Sequence, residues 1–328
     1  MKRLVALLCA LPLVSPVLGD EATITAVQLS HFEGAAIGDT LQHLVFKGGL
    51  ELHSAADTFG GLSAIGFTGP DNRLTMVSDR GNFVSGQLIY DDAGAPLSLV
   101  GVTIDPIQNS KGADLPRAFA RDAEALAVIE RPNNQSVVRV GFENLTRVAD
   151  YHLEAGVPTG PATEVTIPDW LTKTRTNESL EAVCVAPAAS PVAGSTLLLT
   201  EGVIAGDGLH AAWLLGKTDK GPVSYRSGDP TSPTDCAFLP NGDLLVLERG
   251  VVLVNFAARL VRVKAADVKP GAQMTGDVLF EATGGDLDNM EGIAVHQTAS
   301  GETRITLVSD NNFNDWERSL LLEFSLLP

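Results

Sequence analysis

The chain has 328 residues and carries 40 aspartate and glutamate residues against 23 lysine and arginine residues, a formal net charge of −17 at pH 7. This excess of negative charge argues against nucleic acid or an anionic membrane as the partner. A cation or a neutral ligand suits it better, and the same charge is also expected of an exported protein that is merely soluble.

Residues 1–19 have the pattern of a secretory signal peptide. Met1-Lys2-Arg3 precedes an apolar stretch from Leu4 to Leu18 that prolines interrupt, and Gly19 follows it. The stretch is too short to span a bilayer, but it is typical of a cleaved leader. We therefore expect residues 1–19 to be removed and residues 20–328 to form a single domain. The protein is then periplasmic or secreted.

Five segments of the chain share the pattern of a β-hairpin. Each has an apolar first strand, a turn rich in Gly, Pro, Asn or Asp, and a second strand rich in β-branched residues. The starts lie 54 to 61 residues apart, a spacing that indicates a repeat architecture. The segments run from Ser63 to Asp79, Glu124 to Glu143, Glu181 to Glu201, Asp235 to Glu248, and Glu291 to Asp310.

Further strand-like runs complete each repeat. Two follow each of the first four hairpins, whereas one, Leu320 to Leu326, follows the fifth. Four strands per repeat predict an all-β fold, a β-propeller of five four-stranded blades. Leu44 to Leu52 can supply the missing outer strand, so that pairing of N- and C-terminal strands closes the ring. Six blades are the alternative, if Ile24 to Leu52 forms more strands. Asp169 to Lys173 is expected to form one helical turn.

Acidic residues occupy nine of the ten hairpin ends, and only Ser63 is not acidic. In a propeller the first strand of each repeat lines the central channel and the second runs back beside it. These acids should therefore surround one mouth of the channel. Like charges that are directly opposed across strands, such as Glu124 and Glu143, destabilise a sheet. They require a bound cation, neighbouring arginines or carboxyls that keep their protons.

Calcium is one way to compensate these charges, because it binds about six to eight hard oxygen ligands. Asn82, Asn177, Asn289 and Asn311 offer further oxygen ligands. The alternative is a belt of salt bridges in which Arg80, Arg121 and Arg249, each next to a rim acid, hold the blades together. These arginines are also the candidate substrate-binding residues. The candidate metal ligands are Asp79, Glu124, Glu143, Glu181, Glu201, Asp235, Glu248, Glu291 and Asp310.

No serine-hydrolase motif is present, since the second glycine of Gly61 to Gly66 comes one residue too late and the segment reads as a strand. The candidate catalytic residues are instead acids at the predicted mouth and one histidine in a glycine-rich loop on the same side. They are Glu124, Glu181, Glu291 and His210. His296, near the turn of the last hairpin, is expected to be structural.

Two cysteines follow the signal peptide, Cys184 and Cys236, and both fall on first strands of repeats. Cys184 lies three residues after Glu181, whereas Cys236 lies one residue after Asp235. A disulfide requires Cα atoms within about 7 Å of each other. Because the predicted depths differ, we expect two buried free thiols.

An ordered set of motifs extends over nearly the whole mature chain: Phe59-Gly60-Gly61-Leu62-Ser63, Val77-Ser78-Asp79-Arg80-Gly81, Asp122-Ala123-Glu124-Ala125-Leu126-Ala127-Val128, Leu247-Glu248-Arg249-Gly250, Asp288-Asn289-Met290-Glu291-Gly292 and Val308-Ser309-Asp310-Asn311-Asn312-Phe313. This set resembles the bacterial phytase-like family, exported propellers described as having esterase-like activity. The resemblance covers roughly Phe59 to Pro328. It implies a propeller with ester or phosphoester hydrolysis and calcium as a candidate cofactor. It does not imply phytate as substrate, because the Asp-Asp-Pro-Ala type signature of propeller phytases is absent.

The sequence therefore supports two functional hypotheses. The first is a monomeric hydrolase of small esters or phosphoesters, with a carboxylate-rimmed and calcium-binding channel mouth. The second is a non-catalytic propeller that binds a ligand or a protein at the same mouth. Neither involves nucleic acid or a membrane span.

Overall fold

A computed structural model describes residues 20–218 and 220–327, and it describes Asp207 by its backbone alone. The predicted signal peptide lies outside the described residues. Five sheets of four to six strands are arranged as the blades of a β-propeller, as the repeat predicts. No helix among the described residues is long and apolar enough to cross a membrane.

Each blade is built from an inner strand and three strands that follow it outward. The strands before the first inner strand are β1 (Asp20–Ala22), β2 (Ile24–Leu29), β3 (His31–Phe32), β4 (Ala35–Ala36), β5 (Thr40–Leu41) and β6 (Leu44–Ser54). Blade 1 contains β7 (Leu62–Gly69), β8 (Arg73–Ser78), β9 (Asn82–Tyr90) and β10 (Pro96–Pro106). Blade 2 contains β11 (Ala123–Ile129), β12 (Val137–Phe142), β13 (Arg147–Glu154) and β14 (Val157–Val165), preceded by the short helix α1 (Ala118–Arg121).

The remaining blades follow the same plan. Blade 3 contains β15 (Leu180–Val185), β16 (Thr196–Ile204), β17 (His210–Leu215) and β18 (Gly221–Tyr225). Blade 4 contains β19 (Ser232–Phe238), β20 (Leu244–Val252), β21 (Asn255–Val263) and β23 (Asp277–Thr283), while β22 (Gln273–Met274) joins the outer edge of blade 3. Blade 5 contains β24 (Met290–Gln297), β25 (Thr303–Ser309) and β26 (Ser319–Leu326). The helix α2 (Asp169–Thr172) confirms the predicted helical turn, and 3-10 turns occupy Gly206–Gly208 and Ala265–Asp267.

The ring closes through strands from both ends of the chain. β6 pairs antiparallel with β26, from Leu44 opposite Leu326 to Leu52 opposite Ser319, and so supplies the outer strand of blade 5. β2 adds outside β6, and β1 adds to the outer edge of blade 1. The predicted closure is therefore confirmed. In the segment before β6, β1, β2 and β5 extend existing blades, and β3 and β4 form a two-stranded sheet of their own, so no sixth blade is made.

Blades are buried on both faces because each packs between two neighbours. Leu320, Leu321 and Leu322 of β26 are all fully buried. Leu320 and Leu322 face the core shared with blade 4, whereas Leu321 faces the core shared with blade 1. Sheets covered on both sides need continuous apolar runs, which explains why these strands lack the alternation of a one-sided sheet.

The five inner strands surround the central channel, as predicted. Their middle residues, such as Ile65, Leu126 and Val183, line a cavity of about 160 Å³. Each inner strand also contacts the inner strands of both neighbouring blades. The channel is therefore apolar in its middle, and polar chemistry is confined to its ends.

A β-bulge near the start of every inner strand shifts the cross-strand register from the one that we predicted. In blade 2, Ala123 pairs with Phe142 and Ala125 with Gly141, so that Glu124 is the extra residue. The corresponding extra residues are Ser63, Glu181, Thr234 and Glu291. The direct pairing of terminal acids across strands is therefore wrong, because a bulge lets two residues face one partner residue.

The expectation of two free thiols is also wrong. Cys184 and Cys236 form a disulfide, with Cα atoms 5.8 Å apart. The predicted depths treated Asp235 as the equivalent of Glu181, but the bulge places Thr234 there. Counted from the bulge residues, Cys184 is third and Cys236 is second, so the depths differ by one residue. The bond therefore joins the inner strands of blades 3 and 4.

This disulfide should stabilise the propeller. Its cysteines are 52 residues apart, and closing a loop of that length contributes about 4 kcal/mol in the chain-entropy model. Replacing both cysteines by alanine should lower the thermal midpoint by about 6 °C for a chain of this size. Calorimetry of the two single variants and the double variant tests this. If each single variant lowers the thermal midpoint as much as the double variant does, the bond is present. Losses from the two single variants that add up to the loss of the double variant would contradict it.

Candidate active site at the channel mouth

The bulges bring carboxyl groups together at one end of the channel. A bulge re-aims the side chain of its extra residue, and three of the five bulge residues are glutamates, Glu124, Glu181 and Glu291. Glu124 is hydrogen-bonded to Ser63, the bulge residue of the neighbouring blade. Burial, followed by the charges of nearby acids that include Glu291, raises the pKa of Glu124 well above its usual range. The predicted acidic mouth therefore exists around these residues.

Two glutamates at the mouth form a carboxyl pair. Glu143, directly after β12, and Glu181 are hydrogen-bonded to each other. The backbone N–H of Ser179 also donates to Oε1 of Glu143 at 2.5 Å. Burial raises the pKa of Glu143 to about 7. Burial and the charge of Glu143 raise the pKa of Glu181 well above its usual range. Because a hydrogen bond between two carboxyl groups requires a proton, at least one member of the pair is protonated.

Arg249 lies among these carboxylates and links three blades. Its Nε is 3.1 Å from Oε1 of Glu291, and its Nη2 is 3.8 Å from Oε1 of Glu201. Burial lowers the pKa of Arg249, but the charges of the nearby acids, of which Glu291 and Glu201 contribute most, together raise it by more. Burial raises the pKa of Glu291 to about 8 in spite of the guanidinium. One guanidinium thus offsets only part of the negative charge around it.

A second group of acids lies between blades 1 and 5. Burial, and then the charge of Asp310, raises the pKa of Asp79 to about 7. Burial likewise raises the pKa of Asp310 to about 6, although the N–H of Asn312 donates to its Oδ1 at 2.7 Å. Gly61, with φ of +63°, must be glycine here, because a Cβ would overlap the carboxylate of Asp79 and the ring of Phe313.

A cleft of about 500 Å³ opens beside Asp79. It is lined by Asp79, Arg80, Ala118, Phe119, Arg121, Asp122 and Asn144. Asp122 accepts a hydrogen bond from Nδ2 of Asn144, and its charge contributes to the raised pKa of Glu124 and Glu143. Sequence reasoning missed Asp122 as a site residue, although it is the first residue of the motif Asp122 to Val128 and lies two residues before the bulge residue Glu124. The repeat pattern marks the ends of the hairpins, and Asp122 lies just outside the hairpin that begins at Glu124.

Two predicted metal ligands lie in interfaces between blades instead of among these acids. Asp235 accepts hydrogen bonds from the N–H groups of Cys236 and Ile293, each at 2.8 Å, and so joins blades 4 and 5. Glu248 accepts from Tyr225, Thr231 and Arg259 and joins blades 3 and 4. Both carboxylates are fully buried, and these contacts give them a structural role.

The three arginines have different surroundings. Arg249 is the one that forms ion pairs with acids of the mouth within the described part of the chain. The guanidinium of Arg80 lies over the ring of Phe313, 3.2 Å from its centroid. Nε of Arg121 donates to the carbonyl oxygen of Leu115 at 2.8 Å. The predicted salt-bridge belt is therefore reduced to Arg249.

The two histidines also differ from each other. His210 is the buried first residue of β17, with Nε2 2.8 Å from Oγ of Ser227 and Nδ1 2.5 Å from the carbonyl oxygen of Glu201. Burial lowers its pKa, so it is a neutral group beside the mouth. His296 is buried, stacks on Phe67 and lies 3.2 Å from the hydroxyl of Tyr90, as expected of a structural residue.

The donor atoms of the mouth suit a hard cation. Oδ1 of Asp79 and Oδ1 of Asn289 are buried and lack a hydrogen-bond partner, and carboxylate and amide oxygens are the ligands that calcium prefers. Within residues 20–218 and 220–327, however, no three His, Cys, Asp or Glu side chains are placed to hold one metal ion. The chemistry of the donors fits calcium, whereas their present positions do not form a finished site.

The sequence model of the phytase-like family, described as esterase-like activity of phytase, matches residues 57–313. The chain belongs to this family. The match covers the inner strands of all five blades and the acidic mouth, so the resemblance drawn from the motifs is confirmed. No curated protein sequence matches the chain.

Solved structures that resemble this phytase-like propeller include an aldose sugar dehydrogenase from Streptomyces coelicolor in its PQQ-bound form. That match has 11% identity, covers 85% of this chain and 98% of that one, and has a TM-score of 0.44. The WD40 repeats of RRP9 match at 10% identity over 82% of this chain and 95% of that one, with a TM-score of 0.39. A glucose dehydrogenase-like oxidoreductase from Thermus thermophilus matches at 13% identity over 82% of this chain and 98% of that one, with a TM-score of 0.36.

The raised pKa values predict how stability depends on pH. A carboxyl whose folded-state pKa exceeds its unfolded value favours folding when protonated, and this contribution is lost as pH rises through the folded-state pKa. For Glu143 that loss falls between its ordinary value of 4.5 and about 7. Glu143→Gln should therefore raise the thermal midpoint relative to the unmodified protein, increasingly so from pH 5 to pH 8.

Thermal denaturation at four pH values across that range is the measurement. Glu130→Gln, an exposed glutamate on the opposite end of the same blade, is the matched control and should shift the midpoint equally at every pH. If the difference in thermal midpoint between Glu143→Gln and the unmodified protein stays constant or decreases as pH rises, the Glu143 carboxyl is ionised at no cost to folding.

Proposed function

We propose that this phytase-like propeller is an exported hydrolase of small esters or phosphoesters, with its active site at the acidic mouth. The observation that carries the proposal is the hydrogen-bonded pair of Glu143 and Glu181 at the end of the channel, in the same cluster as the guanidinium of Arg249. A proton donor, a proton acceptor and a cation are thus assembled in one place. The family match, with its esterase-like description, supports the same reaction class.

The carboxyl pair is suited to general acid and base catalysis. Because the hydrogen bond between the two groups requires one proton, the other member can be ionised and accept a proton from an attacking water molecule. The hydroxide oxygen bonds to the carbonyl carbon or phosphorus, the bond to the leaving oxygen breaks, and the protonated member returns a proton to that oxygen. The products are an acid and an alcohol. Groups with pKa values near the working pH are the most effective in this role.

Arg249 is suited to stabilising the charge that develops on the substrate. Its guanidinium carries fixed N–H donors and is held by Glu291 and Glu201, so little reorganisation is needed when an oxyanion forms. The partly exposed side chain, with 25% of its surface accessible, can be reached from the mouth. As a leader, residues 1–19 would direct the enzyme out of the cytoplasm. Outside the cytoplasm the disulfide is also chemically favoured.

Calcium is the proposed cofactor. The atoms that suit it are the unpaired oxygens of Asp79 and Asn289, with the carboxylates of Glu291 and Asp310 close by. When bound, a calcium ion would polarise a carbonyl or phosphoryl oxygen of the substrate. It would also offset the negative charge that the bulges concentrate at the mouth.

A second candidate function is ligand binding without catalysis. The observation that favours it is the cleft beside Asp79, in which Arg80, Arg121 and Phe119 offer two cations and an aromatic ring on one surface. Because Asp79 and Asp122 line the same cleft, it suits a small polar ligand that carries both hydrogen-bond donors and acceptors. Turnover distinguishes the two candidates, because a binding module forms a complex with its ligand and releases it unchanged.

Replacing Glu181 tests the catalytic proposal. Glu181→Gln keeps the shape and the hydrogen bond to Glu143 but removes the shared proton, so kcat on an activated ester should fall by about 100-fold or more. Stability should not fall, since the variant removes a buried carboxyl whose ionised form is disfavoured by burial. The measurement is hydrolysis of p-nitrophenyl acetate and p-nitrophenyl phosphate, with Glu130→Gln as the control. Unchanged kcat in Glu181→Gln would exclude this pair from the reaction.

A calcium titration tests the proposed cofactor. Calcium at about a hundredfold above its dissociation constant should stabilise the folded protein by about 2.7 kcal/mol, which is about 4 °C in the thermal midpoint. Chelator should reverse the shift, and Glu291→Gln should reduce it. A midpoint that stays constant up to ten millimolar calcium, in protein shown to be metal-free at the start, would reject calcium binding at the mouth.

A further inference from the structure

The turn between β20 and β21 exposes apolar side chains that the fold does not use. Leu253 and Val254 are each 92% exposed, and Val251 is 52% exposed. Val252 pairs with Asn255, so Leu253 and Val254 form a two-residue turn. Leu253 has a φ of +59°, a left-handed conformation in which glycine is the favoured residue of such turns. Leucine is thus unfavourable here for two reasons: its backbone is in a left-handed conformation, and its apolar side chain is exposed to water.

This apolar turn continues from the candidate active site. Arg249 and Val251 are two residues apart on β20 and therefore lie on the same face of the strand, and Leu253 follows directly in the turn. Arg249 is the residue that pairs with Glu291 and Glu201 at the mouth. The apolar side chains therefore begin within two residues of the proposed oxyanion-binding group and extend outward from it.

Other blades expose apolar side chains at the same end of the propeller. Ile204 of blade 3 is 53% exposed and lies three residues beyond Glu201. Trp316, in the connection that follows Asp310, is 83% exposed, and Phe119, in the helix before β11, is 47% exposed. These positions lie before an inner strand, in the last residues of a second strand or directly after one, at the same end of the blades as the acids. We define the apolar rim as Phe119, Ile204, Val251, Leu253, Val254 and Trp316.

The charges inside this rim disfavour an anionic substrate. Glu124, Glu143 and Glu181 lie in one cluster, and Arg249 in the same cluster is already engaged by two carboxylates. Arg80 is held over the ring of Phe313. A phosphate monoester would bring further negative charge into this field, whereas a neutral molecule would not.

We propose that the substrates are neutral carboxylic esters with an apolar alkyl or acyl chain, which lies against the apolar rim while the ester carbonyl reaches Arg249. This inference rests on the proposed hydrolase function and narrows it. Water adds to the carbonyl carbon, the acyl–oxygen bond breaks, and a carboxylic acid and an alcohol leave. The rim supplies binding energy through burial of the chain, since the transfer of methylene groups from water to an apolar surface is favourable.

The test compares p-nitrophenyl acetate, p-nitrophenyl octanoate and p-nitrophenyl phosphate with the full mature protein. The octanoate should exceed the acetate in kcat/KM by at least about tenfold, since methylenes bound to apolar surface raise transition-state binding, and the phosphate should be the poorest substrate. Leu253→Gly combined with Val254→Asn removes the apolar turn and introduces residues that favour a two-residue turn. This variant should keep its thermal midpoint and lose most of the preference for octanoate.

The control is Val27→Ser, an exposed valine at 50% on the outer edge of blade 5, which should retain the octanoate preference. Faster turnover of the phosphate than of either ester would overturn the inference. An equal octanoate-to-acetate ratio in the unmodified protein and the turn variant would also overturn it while leaving ester hydrolysis intact.

Binding of octanamide, which resists hydrolysis, separates failure of the rim from failure of the hydrolase. Isothermal titration should show binding to the unmodified protein and to Val27→Ser, with loss of at least about tenfold in affinity for the turn variant. Such loss without turnover of any ester would support the rim and refute the hydrolase. Equal octanamide affinities of the unmodified protein and the turn variant would overturn the inference. A turn variant that loses only its binding to phosphatidylcholine vesicles would overturn it as well.

Discussion

Pairing of the two ends of the described chain within blade 5 is the constraint on which the rest of the structure depends. β6 completes the last blade, and the segment before it extends both blade 5 and blade 1. Without this closure the inner strands would not form a ring, and the edges of blades 1 and 5 would stay exposed. The closed ring in turn holds five equivalent bulges around one axis, at one depth. The acidic mouth is therefore a consequence of closure as much as of the acidic residues themselves.

The mouth is the place where the molecule departs from what folding alone favours. The inner strands pack against one another with apolar side chains in the middle of the channel, yet at the bulges they bring together carboxyls whose burial raises their pKa values. Asp235 and Glu248 are also buried, and burial raises the pKa of Asp235 as well, but both are surrounded by hydrogen-bond donors that hold the blades together. This difference separates acids that serve the fold from acids available for chemistry. Perturbed groups at a channel end are typical of functional sites.

Much of the fold was predictable because it is periodic. Hairpins that recur every 54 to 61 residues, turn residues at their midpoints, and a last repeat that lacks one strand lead directly to five blades and to closure by Leu44 to Leu52. Local chemistry determines these features, since turn residues and apolar runs act on near neighbours. The presence of acids at one mouth follows from the same periodicity, because every repeat runs in the same direction around the ring.

The sequence by itself thus determined the blade number, the closure and the end of the channel at which the acids lie. Only the tertiary structure decided which acids meet. A bulge adds one unpaired residue without leaving a sequence signal of its own, and it moved Thr234 into the position that Asp235 was predicted to hold. The same shift brought Cys184 and Cys236 within bonding distance. Distances between blades also decided that Arg249 pairs with Glu291 while Arg80 stacks on Phe313, because contacts between residues far apart in the chain depend on how whole sheets pack.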